Sequence, residues 1–207
     1  MKRRALIAAC ALAACSRKQV TAVAVPTGST VLALGDSITF GTGADSAAAY
    51  PAQLAALTGW NVVNAGVPGD SAAQAAERLP VLLLEHQPAL VILSAGGNDF
   101  LRRVAAAETE AALRGAIGLA RDAGAQVLLV AVPQPTIGAA IGAGLSDHPL
   151  FAKLAEEFKL PLHANGWAKV LGDEKLRADP IHANAAGYRA FAEGLAATLR
   201  DNGLLRS

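Results

Sequence analysis

The chain has 207 residues, of which 53% are hydrophobic and 17% are charged, and its formal net charge is +1. This length suits one domain with a complete core, and the high apolar fraction excludes a disordered chain. No stretch reaches the roughly 20 consecutive apolar residues of a membrane-spanning helix.

The first fifteen residues differ from the rest of the chain. A basic segment, residues 2–4, precedes an apolar segment, residues 5–14, as in an export signal. The stretch Leu12-Ala13-Ala14-Cys15 resembles the lipobox of bacterial lipoproteins. That resemblance implies cleavage before Cys15, lipidation of this cysteine and, because Ser16 follows it instead of aspartate, an outer-membrane location. Cys10 fits less well, because it would leave too short an apolar segment. An ordinary or uncleaved signal peptide is the alternative.

We therefore divide the chain into a signal peptide (1–14), a lipidated cysteine with a tether (15–29) and one folded domain (30–207). Cleavage removes three of the 18 basic side chains and none of the 17 acidic ones, which leaves a net charge of −2. This balance argues against a nucleic-acid partner. Both cysteines lie in the leader region, so the domain has no disulfide, thiolate nucleophile or cysteine zinc site.

From residue 30 onward, short apolar runs alternate with longer segments of helical periodicity. This alternation predicts a three-layer α/β/α domain with a central, mostly parallel sheet of five strands. The predicted strands cover residues 31–34, 61–65, 89–94, 126–132 and 160–163, and the predicted helices cover residues 47–58, 71–86, 107–123, 148–158 and 185–201.

Glycine-rich polar segments follow the first three strands. They are Gly35-Asp36-Ser37, residues 64–71 and residues 96–99. Since the carboxyl ends of parallel strands meet at one edge of the sheet, these segments should converge there, where ligands bind in such folds. Each alone is a common strand-to-helix turn: Asp36-Ser37 can simply cap a helix, and Ser71 is better explained as an N-cap.

A fourth polar segment, residues 178–184, precedes the last helix. Asp179 and His182 are three residues apart, so the carboxylate can hold one imidazole nitrogen and leave the other as a base. A turn aspartate beside a surface histidine is the plainer interpretation of this segment taken alone. Asn184 is expected to cap the following helix. The four histidines lack the close spacing of a metal pair, and no metal site is predicted.

The four blocks together resemble, in order and spacing, the SGNH or GDSL-type hydrolases. The similarity runs from about residue 31 to 200 and is greatest to the bacterial acyl-CoA thioesterase, lysophospholipase and arylesterase branch. It implies the flavodoxin-like SGNH hydrolase fold, with Ser37 as nucleophile, His182 as general base and Asp179 orienting it. The implied oxyanion hole combines the Ser37 and Gly66 N–H groups with the Asn98 side chain, while Asp36 and Asp99 brace their loops.

The resemblance also places an acyl pocket at residues 43–45 and in the loop 133–147, which is either a mobile cover or a long surface connection. It implies a serine esterase without metal or organic cofactor, and we expect the protein to be a monomer. The substrates implied are aryl or acyl esters, with thioesters and lysophospholipids as further candidates. Two alternatives remain: an O-acetylesterase of cell-wall or surface polysaccharide, and a binding lipoprotein that has lost activity.

Overall fold

The structure, a computed structural model, describes residues 22–134 and 144–206. In chain order its strands are β1 (Thr30–Gly35), β2 (Asn61–Gly66), β3 (Leu90–Ser94), β4 (Gln126–Val130), β5 (Pro133–Gln134), β6 (Ser146–Asp147) and β7 (Leu162–His163). Five of them form one parallel sheet in the order β2-β1-β3-β4-β7, while β5 and β6 pair antiparallel beside it. The predicted five-stranded sheet is confirmed.

Eight α-helices occur in the described residues: α1 (Ser37–Phe40), α2 (Tyr50–Thr58), α3 (Ala72–His86), α4 (Gly97–Leu101), α5 (Ala106–Asp122), α6 (Pro149–Phe158), α7 (Gly166–Gly172) and α8 (Ala185–Asp201). The sequence analysis missed the short helices α1, α4 and α7, because four to seven residues show too little periodicity. None of the helices in the described ranges is long and apolar enough to span a membrane.

The helices form two layers. Helix α5 contacts both α3 and α6, whereas α8 contacts α2 and α7. The chain reverses its direction across the sheet after β2, and right-handed crossovers then place α3 and α5 on the face opposite α2. The predicted α/β/α architecture is confirmed. Its central strands β1 and β3 are buried almost throughout, which explains their continuous apolar sequences.

The domain begins earlier than residue 30. The Val25 side chain is buried in the core, and its N–H donates to the carbonyl of Leu204 at 2.8 Å. The Val23 backbone exchanges two hydrogen bonds with the Gln126 side chain, at 2.8 and 2.7 Å. The tether predicted over residues 15–29 is therefore wrong at its carboxyl end, because residues 22–28 pack on the domain. Residues 15–21, with Cys15, lie outside the described residues.

The carboxyl ends of three strands are aligned in one row. Gly35 of β1 lies opposite Gly66 of β2 and Ser94 of β3. The two glycines are required by close contacts: a Cβ on Gly35 would lie 2.3 Å from the Ser94 carbonyl, and one on Gly66 would lie 2.1 Å from the Phe40 nitrogen. The three polar loops that follow are thereby brought to one edge of the sheet.

Candidate active site

Ser37 lies at the start of α1, directly after β1. The Asp36 side chain caps this helix by accepting a hydrogen bond from the Ile38 N–H at 3.1 Å. The Ser37 N–H belongs to the first turn, whose N–H groups have no partner within the helix. Capping and presentation of a serine hydroxyl, which the sequence posed as alternatives, are thus both present in this turn.

The hydroxyl of Ser37 is hydrogen-bonded to His182 across 145 positions of the chain. The distance from Ser37 Oγ to His182 Nε2 is 3.0 Å, and that from His182 Nδ1 to Asp179 Oδ2 is 2.7 Å. Because an ionised carboxylate only accepts hydrogen bonds, Nδ1 carries the proton and the Nε2 lone pair faces the serine hydroxyl. This is the arrangement in which a histidine can remove a proton from serine.

The loop that carries His182 is held mainly by its own hydrogen bonds. Asp179 Oδ1 accepts from the N–H groups of Ile181 and His182, at 2.8 and 2.9 Å, and the Ala178 N–H donates to the His182 carbonyl at 2.9 Å. Burial raises the pKa of the Asp179 carboxyl, but its hydrogen bonds from His182 and Ile181 outweigh that effect and hold the pKa below its usual value. Asp179 therefore stays ionised beside the imidazole.

The structure contradicts the oxyanion role assigned to Gly66. The Gly66 N–H already donates to Asn64 Oδ1 at 3.0 Å. Gly69 differs: it has a φ of +87° in a turn closed by the bond from the Asp70 N–H to the Val67 carbonyl. Within residues 22–134 and 144–206, the Gly69 N–H has no acceptor.

Asn98 lies beside this same turn. One N–H of its side chain donates to the Asp70 carbonyl at 2.9 Å, which leaves the second N–H of the amide for a ligand. Asn98 and Ser37 both line one cavity. The structure therefore brings Asn98 to the same cavity as Ser37, and the turn at Gly69 lies next to the Asp70 carbonyl that Asn98 binds.

Two buried aspartates support the loops, as expected from the sequence. Asp99 accepts hydrogen bonds from the Ala72 N–H at 2.9 Å and from Thr109 Oγ1 at 3.2 Å. It thereby joins the β3 loop to α3 and α5. For Asp36, burial raises the pKa to about 7 even though the bond from Ile38 lowers it.

Ser71 and Asn184 are the N-caps of α3 and α8, which confirms both predictions.

An apolar cavity opens beside Ser37. Its walls come from separate parts of the described chain, and their apolar side chains include Ile38, Leu101, Val132, Pro133, Leu145, Leu171, Pro180 and Ile181. Residues 43–45 are absent from these walls, in contrast to the expectation. Gly43 instead lies against the His182 loop, where a Cβ would come within 2.5 Å of the Ala183 carbonyl. The loop 133–147 does contribute to the cavity, but its residues 135–143 lie outside the described residues.

A serine activated by histidine, N–H donors nearby and an apolar cavity are the requirements of acyl transfer from an ester. The profile of the GDSL-like Lipase/Acylhydrolase family matches residues 33–190.

The chain belongs to this family.

Two curated relatives agree with that assignment. The chain is 35% identical over 177 residues to "Thioesterase 1/protease 1/lysophospholipase L1" of Escherichia coli, with 83% of each chain covered. It is 33% identical over 180 residues to "Esterase TesA" of Pseudomonas aeruginosa, with 83% of this chain and 88% of the relative covered.

A solved structure supports the same conclusion. The crystal structure of TesA superimposes with a TM-score of 0.73 at 33% identity and covers 84% of this chain and 99% of its own. The family resemblance predicted from the four polar blocks is confirmed. This member of the GDSL-like family is a serine ester hydrolase with the SGNH hydrolase fold.

The sequence analysis overlooked Arg78, which reaches the site from α3. Its Nε donates to Asp70 Oδ2 at 2.7 Å, and its Nη2 donates to the carbonyls of Gly35 and Ala65 at 3.1 and 2.9 Å. Arg78 is three positions after Ala75, which is fully buried, and the adjacent Leu79 is buried as well. The sequence signal that could have identified Arg78 is a basic residue at the edge of the apolar face of a predicted helix.

Proposed function

We propose that this GDSL-like hydrolase cleaves esters through a covalent acyl-enzyme on Ser37. The observation that carries the proposal is the hydrogen-bonded series Ser37–His182–Asp179, at 3.0 and 2.7 Å, beside an apolar cavity. His182 Nε2 takes the serine proton while Oγ bonds to the ester carbonyl carbon. The tetrahedral intermediate collapses, its bond to the alcohol oxygen breaks, and His182 returns the proton to that oxygen. Water then attacks the acyl carbon while His182 Nε2 takes its proton. The bond from the acyl carbon to Oγ breaks, and His182 returns the proton to Oγ, which releases the acid and free Ser37.

The negative charge of the tetrahedral intermediate requires N–H donors fixed in advance. We assign this function to the Ser37 N–H, the second side-chain N–H of Asn98 and the Gly69 N–H. Gly69 replaces Gly66 because the Gly66 N–H is already bound to Asn64. Each donor typically contributes about 10²–10³ in rate.

The substrates proposed are carboxylic esters with an apolar acyl chain. The cavity walls are mostly aliphatic, and burial of each methylene contributes about 0.8 kcal/mol to binding. The relatives' names point to thioesters and lysophospholipids as further substrates. An enzyme restricted to acetyl groups would not use such a cavity, so a medium acyl chain is expected to be preferred to acetate.

The first experiment measures hydrolysis of p-nitrophenyl esters from acetate to palmitate by the full chain and by Ser37→Ala. We expect kcat to fall by at least about 10³-fold in the variant and a fluorophosphonate to label the wild type alone. Ser71→Ala is the matched control, because Ser71 lies at the same edge of the sheet but caps α3; it should keep the label. Equal activity of Ser37→Ala and wild type would refute the mechanism.

We also propose that the chain is anchored to the outer membrane of a bacterium by lipid on Cys15 and acts there as a monomer. The support is the lipobox-like sequence before Cys15. Metabolic labelling with a palmitate analogue should mark the wild type and Cys10→Ala but not Cys15→Ala. Label retained in Cys15→Ala would reject this anchor. Light scattering of the detergent-extracted protein should give one chain per particle.

A further inference from the structure

Arg78 is the point at which three loops of the site are joined. Its side chain extends from α3 to the carboxyl ends of β1 and β2, where it binds the carbonyls of Gly35 and Ala65. Gly35 lies two residues before Ser37, so the guanidinium fixes the peptide that leads into the serine turn. No described contact joins Arg78 to Ser37, His182 or Asp179 themselves.

The third partner of Arg78 is Asp70, which is hydrogen-bonded within the part of the site that holds the other two proposed oxyanion donors. Nε donates to Asp70 Oδ2 at 2.7 Å, and Asp70 is 8% exposed. The carbonyl of the same Asp70 accepts the hydrogen bond from Asn98 Nδ2 at 2.9 Å, and its N–H closes the turn at Gly69. One cation therefore acts directly on the ends of β1 and β2 and on the loop after β2, and it reaches the β3 loop through the bond between Asp70 and Asn98.

A plain structural ion pair would require neither this geometry nor an arginine. Arg78 uses two nitrogens for three acceptors, one at the end of β1, one near the end of β2 and one in the loop after β2. A lysine is a single point charge on a flexible stem and cannot reproduce a planar fork. The same chain offers a contrast in Arg114, which pairs with Glu110 and Glu157 on the helices α5 and α6. That pair joins two helices and contacts no loop of the site.

We propose that Arg78 is a positioning residue for transition-state stabilisation: through Gly35 and Asp70 it sets the spacing of the Ser37, Gly69 and Asn98 donors. This inference rests on the proposed acyl-enzyme mechanism. Since a misplacement of about 1 Å can cost about 10²-fold in rate, loss of the fork should lower kcat and leave KM nearly unchanged, because the apolar cavity binds the acyl chain independently.

The test compares Arg78→Lys and Arg78→Ala with Arg114→Lys and Arg114→Ala in the full chain. Active sites are first counted by fluorophosphonate labelling carried to completion, so that every rate is expressed per active site. We expect kcat for a p-nitrophenyl ester to fall about 10–100-fold in both Arg78 variants, with thermal midpoints close to those of the Arg114 variants. The rate of fluorophosphonate inactivation should fall in parallel, since phosphonylation uses the same donors.

Chemical rescue distinguishes positioning from general destabilisation. Millimolar guanidinium or methylguanidinium should restore part of the kcat of Arg78→Ala and none of that of Ser37→Ala, with sodium chloride at equal concentration as the blank. If Arg78→Ala does not fold, Arg78→Lys alone decides by its kcat per active site. Wild-type kcat per site in Arg78→Lys would overturn the inference, as would a loss of activity that follows only the number of active sites. If the wild type itself takes no fluorophosphonate, the mechanism and the inference fall together.

Discussion

The two halves of the active site are built in different ways. The polar half, around Ser37 and His182, is fixed by short hydrogen bonds, and its backbone is tied down by capping residues and by Arg78. The apolar half is a cavity whose walls come from α1, α4, α7 and the segments near residues 132, 145 and 181. Its side chains contribute shape but make few directed contacts.

This difference separates chemistry from specificity. Hydrogen bonds are directional and depend steeply on distance, so a change in the polar half should alter kcat. Contacts in the apolar half are non-directional and scale with the area buried. A change there should alter the choice of acyl chain while the chemistry continues.

The largest expected effect comes from the polar half, in Asp179→Asn. The amide cannot hold the His182 proton on Nδ1 as an ionised carboxylate does, so kcat should fall on the order of 10³–10⁴. Steady-state hydrolysis of a p-nitrophenyl ester measures this loss. Glu174→Gln is the control, since Glu174 is an exposed carboxylate that pairs with Arg177 outside the site. A loss of less than about tenfold in Asp179→Asn would contradict the assigned role.

An intermediate effect is expected from the apolar half, in Leu101→Trp. Leu101 lines the cavity and is 49% exposed, so a larger side chain can enter the cavity without disturbing the core. The ratio of kcat/KM for decanoate to that for acetate should fall by about tenfold or more, while the rate with acetate stays near that of the wild type. Leu84→Trp is the control, because Leu84 is an exposed residue of α3 outside the cavity. An unchanged chain-length profile in Leu101→Trp would place the acyl chain elsewhere.

The smallest expected effect is on the pH dependence of stability. It involves Asp36 in the polar half and His163, which lies outside the site. The pKa of Asp36 is raised to about 7 by burial, so its contribution to stability is full below about pH 4 and is lost as the pH rises to 7. His163 is hydrogen-bonded to Thr198 at 2.7 Å. Burial lowers its pKa to about 4, so its contribution is present above about pH 6.5 and is lost as the pH falls to 4.

These two contributions oppose each other in the wild type. Between pH 4 and 6.5, the urea midpoint of Asp36→Asn should rise with pH more steeply than that of the wild type, and that of His163→Leu should rise less or fall. Each free energy of unfolding should diverge from the wild-type value by at most about 1.4 kcal/mol per pH unit. Parallel pH profiles for all three proteins would show that neither group titrates in this window.

The positions of the polar half could be predicted because its elements are local in sequence. Asp36 caps the helix that begins at Ser37, and Asp179 binds His182 three residues away. The prediction failed at Gly66, where the choice between two nearby glycines depended on whether Asn64 had already taken an N–H. Such competition between acceptors is decided by side-chain positions and leaves no pattern in the sequence.

The sequence by itself determined the family, the order of the main strands and long helices, and the serine, histidine and aspartate of the site. It could do so because periodicity and capping act over a few residues, and because four ordered blocks carry the family's pattern. Only the tertiary structure decided that Arg78 joins three loops, that Val25 belongs to the core, and that the cavity walls include Leu101 and Leu171. These contacts join residues tens of positions apart, and packing of the completed fold brings them together.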